Sequence, residues 1–282
     1  MSAYLFPIVL VTVVGIIAGV MLTIAAKVMY VPVDERVEEL TEALPGANCG
    51  GCGFAGCSDY ASAIVNDGAD LTACAVGGPA CAAELGKIMG VEVSASEPKV
   101  ALVKCCGYNG KTNKILEYKG VPTCKANKSI YSGDGACMHG CIGLGDCVRA
   151  CKFNAIGIVN GVAWVDRNNC TGCGACTRTC PNSIIELVPK HSLVYVACSS
   201  TDKGAQTRKQ CTAGCIACRK CEKTCKFDSI HVVDNHAVID FDTCKNCGMC
   251  VKVCPDQTII KLARAKGKVK KNVVPKKAEA GC

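Results

Sequence analysis

The sequence predicts an α+β chain, in which one long apolar helix is followed by small modules of short helices and two-stranded hairpins. Three observations carry this. Residues 5–26 are apolar without a single charge. Of 282 residues, 27 are cysteine, and most fall in short, regularly spaced runs. The stretch from Val100 to Ile260 carries one cysteine pattern twice.

The 22 residues from Leu5 to Ala26 are long enough to cross a bilayer as a helix. The start MSAY has no basic n-region, and the apolar run exceeds a signal-peptide core. An uncleaved transmembrane anchor is therefore expected over residues 1–30. Lys27 and Arg36 follow the run and nothing basic precedes it, which predicts that the remainder lies on the cytoplasmic side of the cell membrane. Val33, Val37, Leu40 and Leu44 then recur at helical spacing among Asp34, Glu35, Glu38 and Glu39. This predicts an amphipathic linker helix over 31–45, opened by Pro32, closed by Pro45-Gly46, and resting beside a partner or the next module.

Residues 46–92 contain Cys49, Cys52, Cys57 and Cys74, with four glycines threaded between the first three. Glycine suits a loop whose backbone must approach an inorganic core and donate N–H groups to sulfide. A [4Fe–4S] module with these four ligands is expected, with structural zinc as the alternative. Cys81 shares a helical stripe with Leu85, Ile88 and Met89 and reads as a core residue.

The strongest signal is Cys170–Pro181, CTGCGACTRTCP, repeated in spacing at Cys244, Cys247, Cys250 and Cys254 with Pro255 behind. C-x2-C-x2-C-x3-C-P is the bacterial iron–sulfur run, in which three thiolates hold one cluster and the fourth reaches the neighbouring one. Thiolates three apart on a tight loop converge on one cubane face, and the fourth is expected to start a helix pointing away. Zinc prefers two separated cysteine pairs and fits a single twelve-residue run poorly. Adding 74 to Cys124, Cys137, Cys141, Cys147, Cys151, Cys170, Cys173, Cys176 or Cys180 lands on a cysteine every time, so a duplication is expected.

In each copy a hairpin joins two cluster runs. Asn160-Gly161 is flanked by Ile158-Val159 and Val162-Ala163; Asp234-Asn235-His236 is flanked by Val232-Val233 and Ala237-Val238. Asn-Gly favours a type I′ turn. Run, hairpin, run is the plan of a two-cluster ferredoxin, so two tandem ferredoxin-like domains are expected at 98–190 and 191–260, ahead of a basic tail at 261–282. The crossing rule groups Cys215, Cys218 and Cys221 with Cys254, and Cys244, Cys247 and Cys250 with Cys225. It likewise groups Cys170, Cys173 and Cys176 with Cys151. The remaining run departs from the pattern, because Leu144 stands where its middle ligand belongs. Cys137 is the expected substitute beside Cys141, Cys147 and Cys180, and a three-iron cluster is the alternative there. Lys152 and Lys226 replace the proline after the fourth cysteine and put a cation near a cluster. Cys105, Cys106, Cys124, Cys198, Cys211 and Cys282 are left over; Cys105 and Cys198 each close a predicted strand, and spacing does not decide whether any of them holds a sixth cluster.

Composition excludes several classes. The cysteine content would suit a secreted disulfide scaffold, but the spacings are cluster spacings and disulfides compete for the same sulfurs. Of the formal +8, the tail from Lys261 carries +7, and cluster-bound thiolates turn the body negative, so nucleic acid is not an expected partner. No P-loop, dinucleotide fingerprint or nucleophile–base arrangement is visible, and His139, His191, His231 and His236 are scattered. With 5% aromatic residues, metal ligation must supply much of the stability, and the apo-protein is expected to be largely unfolded beyond its first helix.

An anchor helix, a C-x2-C-x4-C-x16-C module and two ferredoxin-like units in this order resemble the B subunit of the Rnf complex, an ion-translocating ferredoxin:NAD oxidoreductase. The resemblance implies a membrane-bound electron entry port with about five [4Fe–4S] clusters, or six if the leftover cysteines hold one more. It implies soluble ferredoxin as donor and membrane and flavin- or NAD-bearing subunits as acceptors. The chain is then part of a translocase but performs no bond chemistry itself. The alternatives are a donor subunit of a related system reducing a redox-sensing regulator, a non-redox metal-binding protein, and the cluster-bearing part of a corrinoid methyl carrier. The last lacks its cobalamin domain here.

Overall fold

The computed structural model describes residues 2–28, 34–93 and 97–262. The first helix, α1, spans Ser2–Val28. Its described side chains, residues 9–25 and Lys27, are all exposed. Among the described residues no helix is long and apolar enough to cross a membrane. The basic tail beyond residue 262 lies outside the described residues, as does Pro32.

Helix α2 covers Glu35–Ala43 and is capped by Asp34, whose carboxylate accepts the Arg36 backbone N–H at 3.0 Å. An Asp N-cap satisfies one of the donors a helix start leaves open. The apolar stripe of α2 does not await a partner. Val37 and Leu40, with Leu44 just beyond, bury against Tyr60 and Ile64 of α3 (Cys57–Asp67) and Leu85 of α4 (Gly78–Met89). Gly68 and Gly90 end these two helices in the left-handed conformation (φ +65° and +68°), which glycine adopts without a Cβ clash. Each fully buried aliphatic side chain in this three-helix packet stabilises it by about 1.5–3 kcal/mol.

The next unit runs β1 (Lys99–Val103), α5 (Cys124–Lys128), α6 (Asp146–Arg149), β2 (Ile156–Val159), β3 (Val162–Val165), α7 (Ala175–Thr179) and β4 (Ile185–Pro189). First and last strands pair antiparallel, Lys99 opposite Pro189 and Val103 opposite Ile185. The hairpin β2–β3 closes through Asn160 (φ +48°) and Gly161 (φ +83°), the two positive φ values a type I′ turn requires. The second unit repeats the order as β5 (Val194–Val196), α8 (Gly204–Gln210), α9 (Lys220–Thr224), β6 (Ile230–Val233), β7 (His236–Ile239), α10 (Met249–Val253) and β8 (Ile259–Lys261). Again the outer strands pair, β5 with β8.

Two local expectations are corrected. The second hairpin loop holds two residues, not three: His236 pairs with Val233 inside the ladder. Asp234 (φ +46°) and Asn235 (φ +62°) make the turn alone, because short polar side chains tolerate left-handed backbone. The fourth cysteine of each run also does not start a helix. Cys180, Cys225 and Cys254 are the C-caps of α7, α9 and α10. One helical turn separates the third ligand from the fourth, and that turn aims the fourth at a different cavity.

The two units are fastened face to face. Thr212 N–H donates to Lys111 O at 2.8 Å, Thr112 Oγ1 donates to Gln210 O at 3.1 Å, and Thr112 bridges Cys211 in antiparallel fashion. Cys106, Ala197, Cys211, Ala213 and Ile260 form a buried cluster along this seam.

Candidate metal centres

Tight turns set each sulfur. Gly174 and Gly248 precede α7 and α10 at φ +73° and +80°, folding the C-x2-C-x2-C loop back so that its third cysteine enters the helix. Among the described residues no three His, Cys, Asp or Glu side chains converge closely enough for a single metal ion. The thiols instead ring cavities.

One cavity of about 340 Å³ is lined by Cys215, Cys218, Cys221 and Cys254, the set the crossing rule groups. A second, about 360 Å³, is lined by Cys124, Cys141, Cys147 and Cys180. Cys176 has the charges of Cys170, Cys173 and Cys151 as neighbours, and Cys250 those of Cys244 and Cys247. In the N-terminal module Cys52, Cys57 and Cys74 surround the same core, with Cys81 buried beside Cys74. Cys49 opens the same loop.

Backbone donors are aimed at the sulfurs in a pattern that repeats between units. Ala155 N–H donates to Cys151 Sγ at 3.4 Å and Ser229 N–H to Cys225 Sγ at 3.5 Å. Ala163 N–H donates to Cys141 Sγ at 3.4 Å, and Ala237 serves Cys215 in the same way. Such donors stabilise thiolate over thiol. Burial acts oppositely: it pushes Cys147 up to about 12 and Cys176, Cys221 and Cys250 to about 11, with neighbouring cysteine charges adding to the rise. Gathered sulfurs, with burial disfavouring the thiolate at Cys147, Cys176, Cys221 and Cys250 yet N–H donors preset beside their partners, suit a group that brings its own positive charge. The residues fit [4Fe–4S] clusters.

The irregular site is rearranged from expectation. The cavity that Cys141, Cys147 and Cys180 line is completed in space by Cys124, whereas Cys137, the expected substitute, does not line it. Cys124 opens α5, which is tied beside the site by Lys125 N–H donating to Asp146 Oδ2 at 3.0 Å and Arg149 donating to Pro122 O at 3.3 Å. No local spacing signals a cysteine brought in from so far upstream. Cys137 lines a third cavity of about 490 Å³ with Cys105, Cys198 and Cys211.

The module abuts the first unit. Gly51 lies against Cys173, such that a Cβ on Gly51 would stand 3.0 Å from the Cys173 carbonyl oxygen. Lys152 Nζ donates to Asn48 O at 2.7 Å and Arg178 donates to Gly50 O at 3.4 Å. The lysine standing where ferredoxin runs have proline thus serves as a clasp between cluster loops. The histidines pair with carboxylates or backbone: His139 lies 3.7 Å from Asp202, His191 contacts Glu97, His231 lies 3.8 Å from Glu222, and His236 contacts Asp234 O.

Comparison with known proteins agrees with these centres. A family model for an Fe-S cluster matches residues 44–76, and models for a 4Fe-4S binding domain match 161–182 and 237–260. The chain is 44% identical over 256 residues to the B subunit of the Na(+)-translocating ferredoxin:NAD(+) oxidoreductase complex of Acetobacterium woodii, covering 90% of this chain and 77% of that one. It is 40% identical to the B subunit of the ion-translocating oxidoreductase complex of Methanosarcina acetivorans (87% and 93% covered). It is also 40% identical to the B subunit of the proton-translocating ferredoxin:NAD(+) oxidoreductase complex of Clostridium ljungdahlii (92% and 93%). Sulfur-ringed cavities, repeated N–H···S geometry and these relatives lead to one conclusion: the chain belongs to the family of B subunits of ion-translocating (Rnf) oxidoreductase complexes and is an iron–sulfur electron-transfer subunit.

Proposed function

We propose that this chain takes electrons from reduced soluble ferredoxin and relays them to other membrane and flavin- or NAD-bearing subunits of its complex. The ligand sets are Cys49, Cys52, Cys57 and Cys74; Cys151, Cys170, Cys173 and Cys176; Cys124, Cys141, Cys147 and Cys180; Cys215, Cys218, Cys221 and Cys254; and Cys225, Cys244, Cys247 and Cys250. When bound, such clusters accept and pass single electrons at potentials that reach about −400 mV in ferredoxin types. The chain's own part is to hold the sulfurs, direct N–H donors at them, and keep successive centres adjacent.

The observation that carries this reading is the contact of Gly51 with Cys173, which sets the module's cysteine loop directly on a ligand loop of the first unit. The fourth-cysteine crossings link the two sites inside each unit. Helix α1, 27 residues long and about 40 Å at 1.5 Å per residue, anchors the chain in the membrane with the cluster domains on the cytoplasmic side. Exposed Val11, Ile16, Met21 and Leu22 on α1 favour lipid as its surroundings. Anaerobic stopped-flow mixing with reduced ferredoxin tests the reading: the broad visible absorbance of the clusters bleaches as ferredoxin is oxidised. Protein that holds its iron yet leaves ferredoxin reduced would refute it.

A further inference from the structure

We propose that Cys105, Cys137, Cys198 and Cys211 hold a sixth [4Fe–4S] cluster in the seam between the two ferredoxin-like units, two ligands from each. The proposal rests on the five-site reading and adds to it a bridge between its two halves.

The cavity at the seam is about 490 Å³, beside about 360 and 340 Å³ for the cavities of two four-cysteine sets described above. All four sulfurs line it. The arrangement is symmetric. Cys105 sits two residues past the end of β1, and Cys198 two residues past the end of β5. Cys105 Sγ accepts the N–H of Cys141 at 3.2 Å and of Gly107 at 3.4 Å. Cys198 Sγ accepts those of Cys215 and Ser200. Cys137 and Cys211 each precede that N–H donor, Cys141 or Cys215, by four residues. Every sulfur on one side has a counterpart on the other, with matching donors already in place.

The units are locked at this point. Ser199 Oγ lies 3.2 Å from Lys104 O and 3.3 Å from His139 O, joining the loop of Cys198 to the neighbours of both first-unit ligands. Cys106 also lines the cavity but is disulfide-bonded, and Ser199 holds the matching place in the second unit, so it is not assigned as a ligand. The alignment by 74 residues pairs Cys198 with Cys124, yet in space its counterpart is Cys105. That mismatch hides the site from sequence spacing. Since Cys141 and Cys215, ligands of the flanking sites, both donate into this one, the seam is where electrons would pass between units.

The test is iron and acid-labile sulfide per chain on full-length protein purified anaerobically. About 24 of each is expected, four per cluster. About 20 would overturn the sixth site while leaving the five-site reading intact; no iron, or zinc in its place, would overturn both. C198S/C211S and, separately, C105S/C137S should each remove about four irons while the EPR of the other clusters persists. C106S should remove none. Unchanged iron in both double variants, or loss in C106S with retention in C105S/C137S, would refute the assignment. Should either double variant fail to fold, the wild-type count still decides.

Discussion

Gly51 stands so close to Cys173 that a methyl group on it would meet the Cys173 carbonyl oxygen at 3.0 Å and its Cβ at 3.2 Å. The two residues belong to cysteine loops of different proposed sites, so the approach of those loops depends on the absence of one side chain. G51A must push the loops apart by a few tenths of an ångström, and G51V by more, at an overpacking cost of about 1–3 kcal/mol. Iron content should hold while electron passage from the first unit to the module slows, G51V more than G51A, as read by freeze-quench EPR. Unchanged rates in both would show that this contact does not set the gap.

Lys152 and Arg178 clasp the same junction through Asn48 O and Gly50 O. Both side chains are exposed, so each bond is worth about 0.5–1.5 kcal/mol. K152A/R178A should expose the link between module and first unit to limited proteolysis without altering iron content. Equal protease resistance would contradict the clasp.

Cys124, not Cys137, lines the cavity of Cys141, Cys147 and Cys180, and we propose it as the fourth ligand there. C124S should lose or convert that cluster, reading as a loss of one to four irons per chain, whereas C137S should leave that centre's EPR signal intact. The reverse pattern would restore the sequence-based assignment.

Much of this molecule was legible because its signals are local. In Cys170–Cys180 and Cys244–Cys254 the order of sulfurs along the chain dictates their geometry, and Asn160-Gly161 announces its own turn. What the sequence concealed was non-local. Cys124 reaches the cavity of Cys141, Cys147 and Cys180 only because Asp146 and Arg149 hold α5 beside α6, and Cys105 meets Cys198 only because two units face one another. The stripe Val37–Leu40–Leu44 was visible as a stripe, but its partner, the packet of α3 and α4, was not.

Removing iron should dissolve the two ferredoxin-like units. Their described strands pair only two by two, and isolated two-stranded ladders are marginal in water. Anaerobic chelation should therefore abolish their protease resistance and most strand signal in circular dichroism, while α1 keeps helical signal in detergent. Native-like resistance after complete iron loss would show that packing alone holds these units.

Deleting residues 1–28 should release the chain from membranes in the absence of its partners. It should leave iron content unchanged, because no ligand set includes α1. A truncated chain that still sediments with vesicles would place the membrane attachment elsewhere.

The most direct test of the account is the number of electrons one chain accepts from reduced ferredoxin in an anaerobic titration followed by EPR. The account predicts about five or more electrons per chain, one per [4Fe–4S] cluster, with magnetic coupling between neighbouring reduced centres. Uptake of one electron or fewer, or reduced centres that stay magnetically isolated, would contradict a continuous row of clusters.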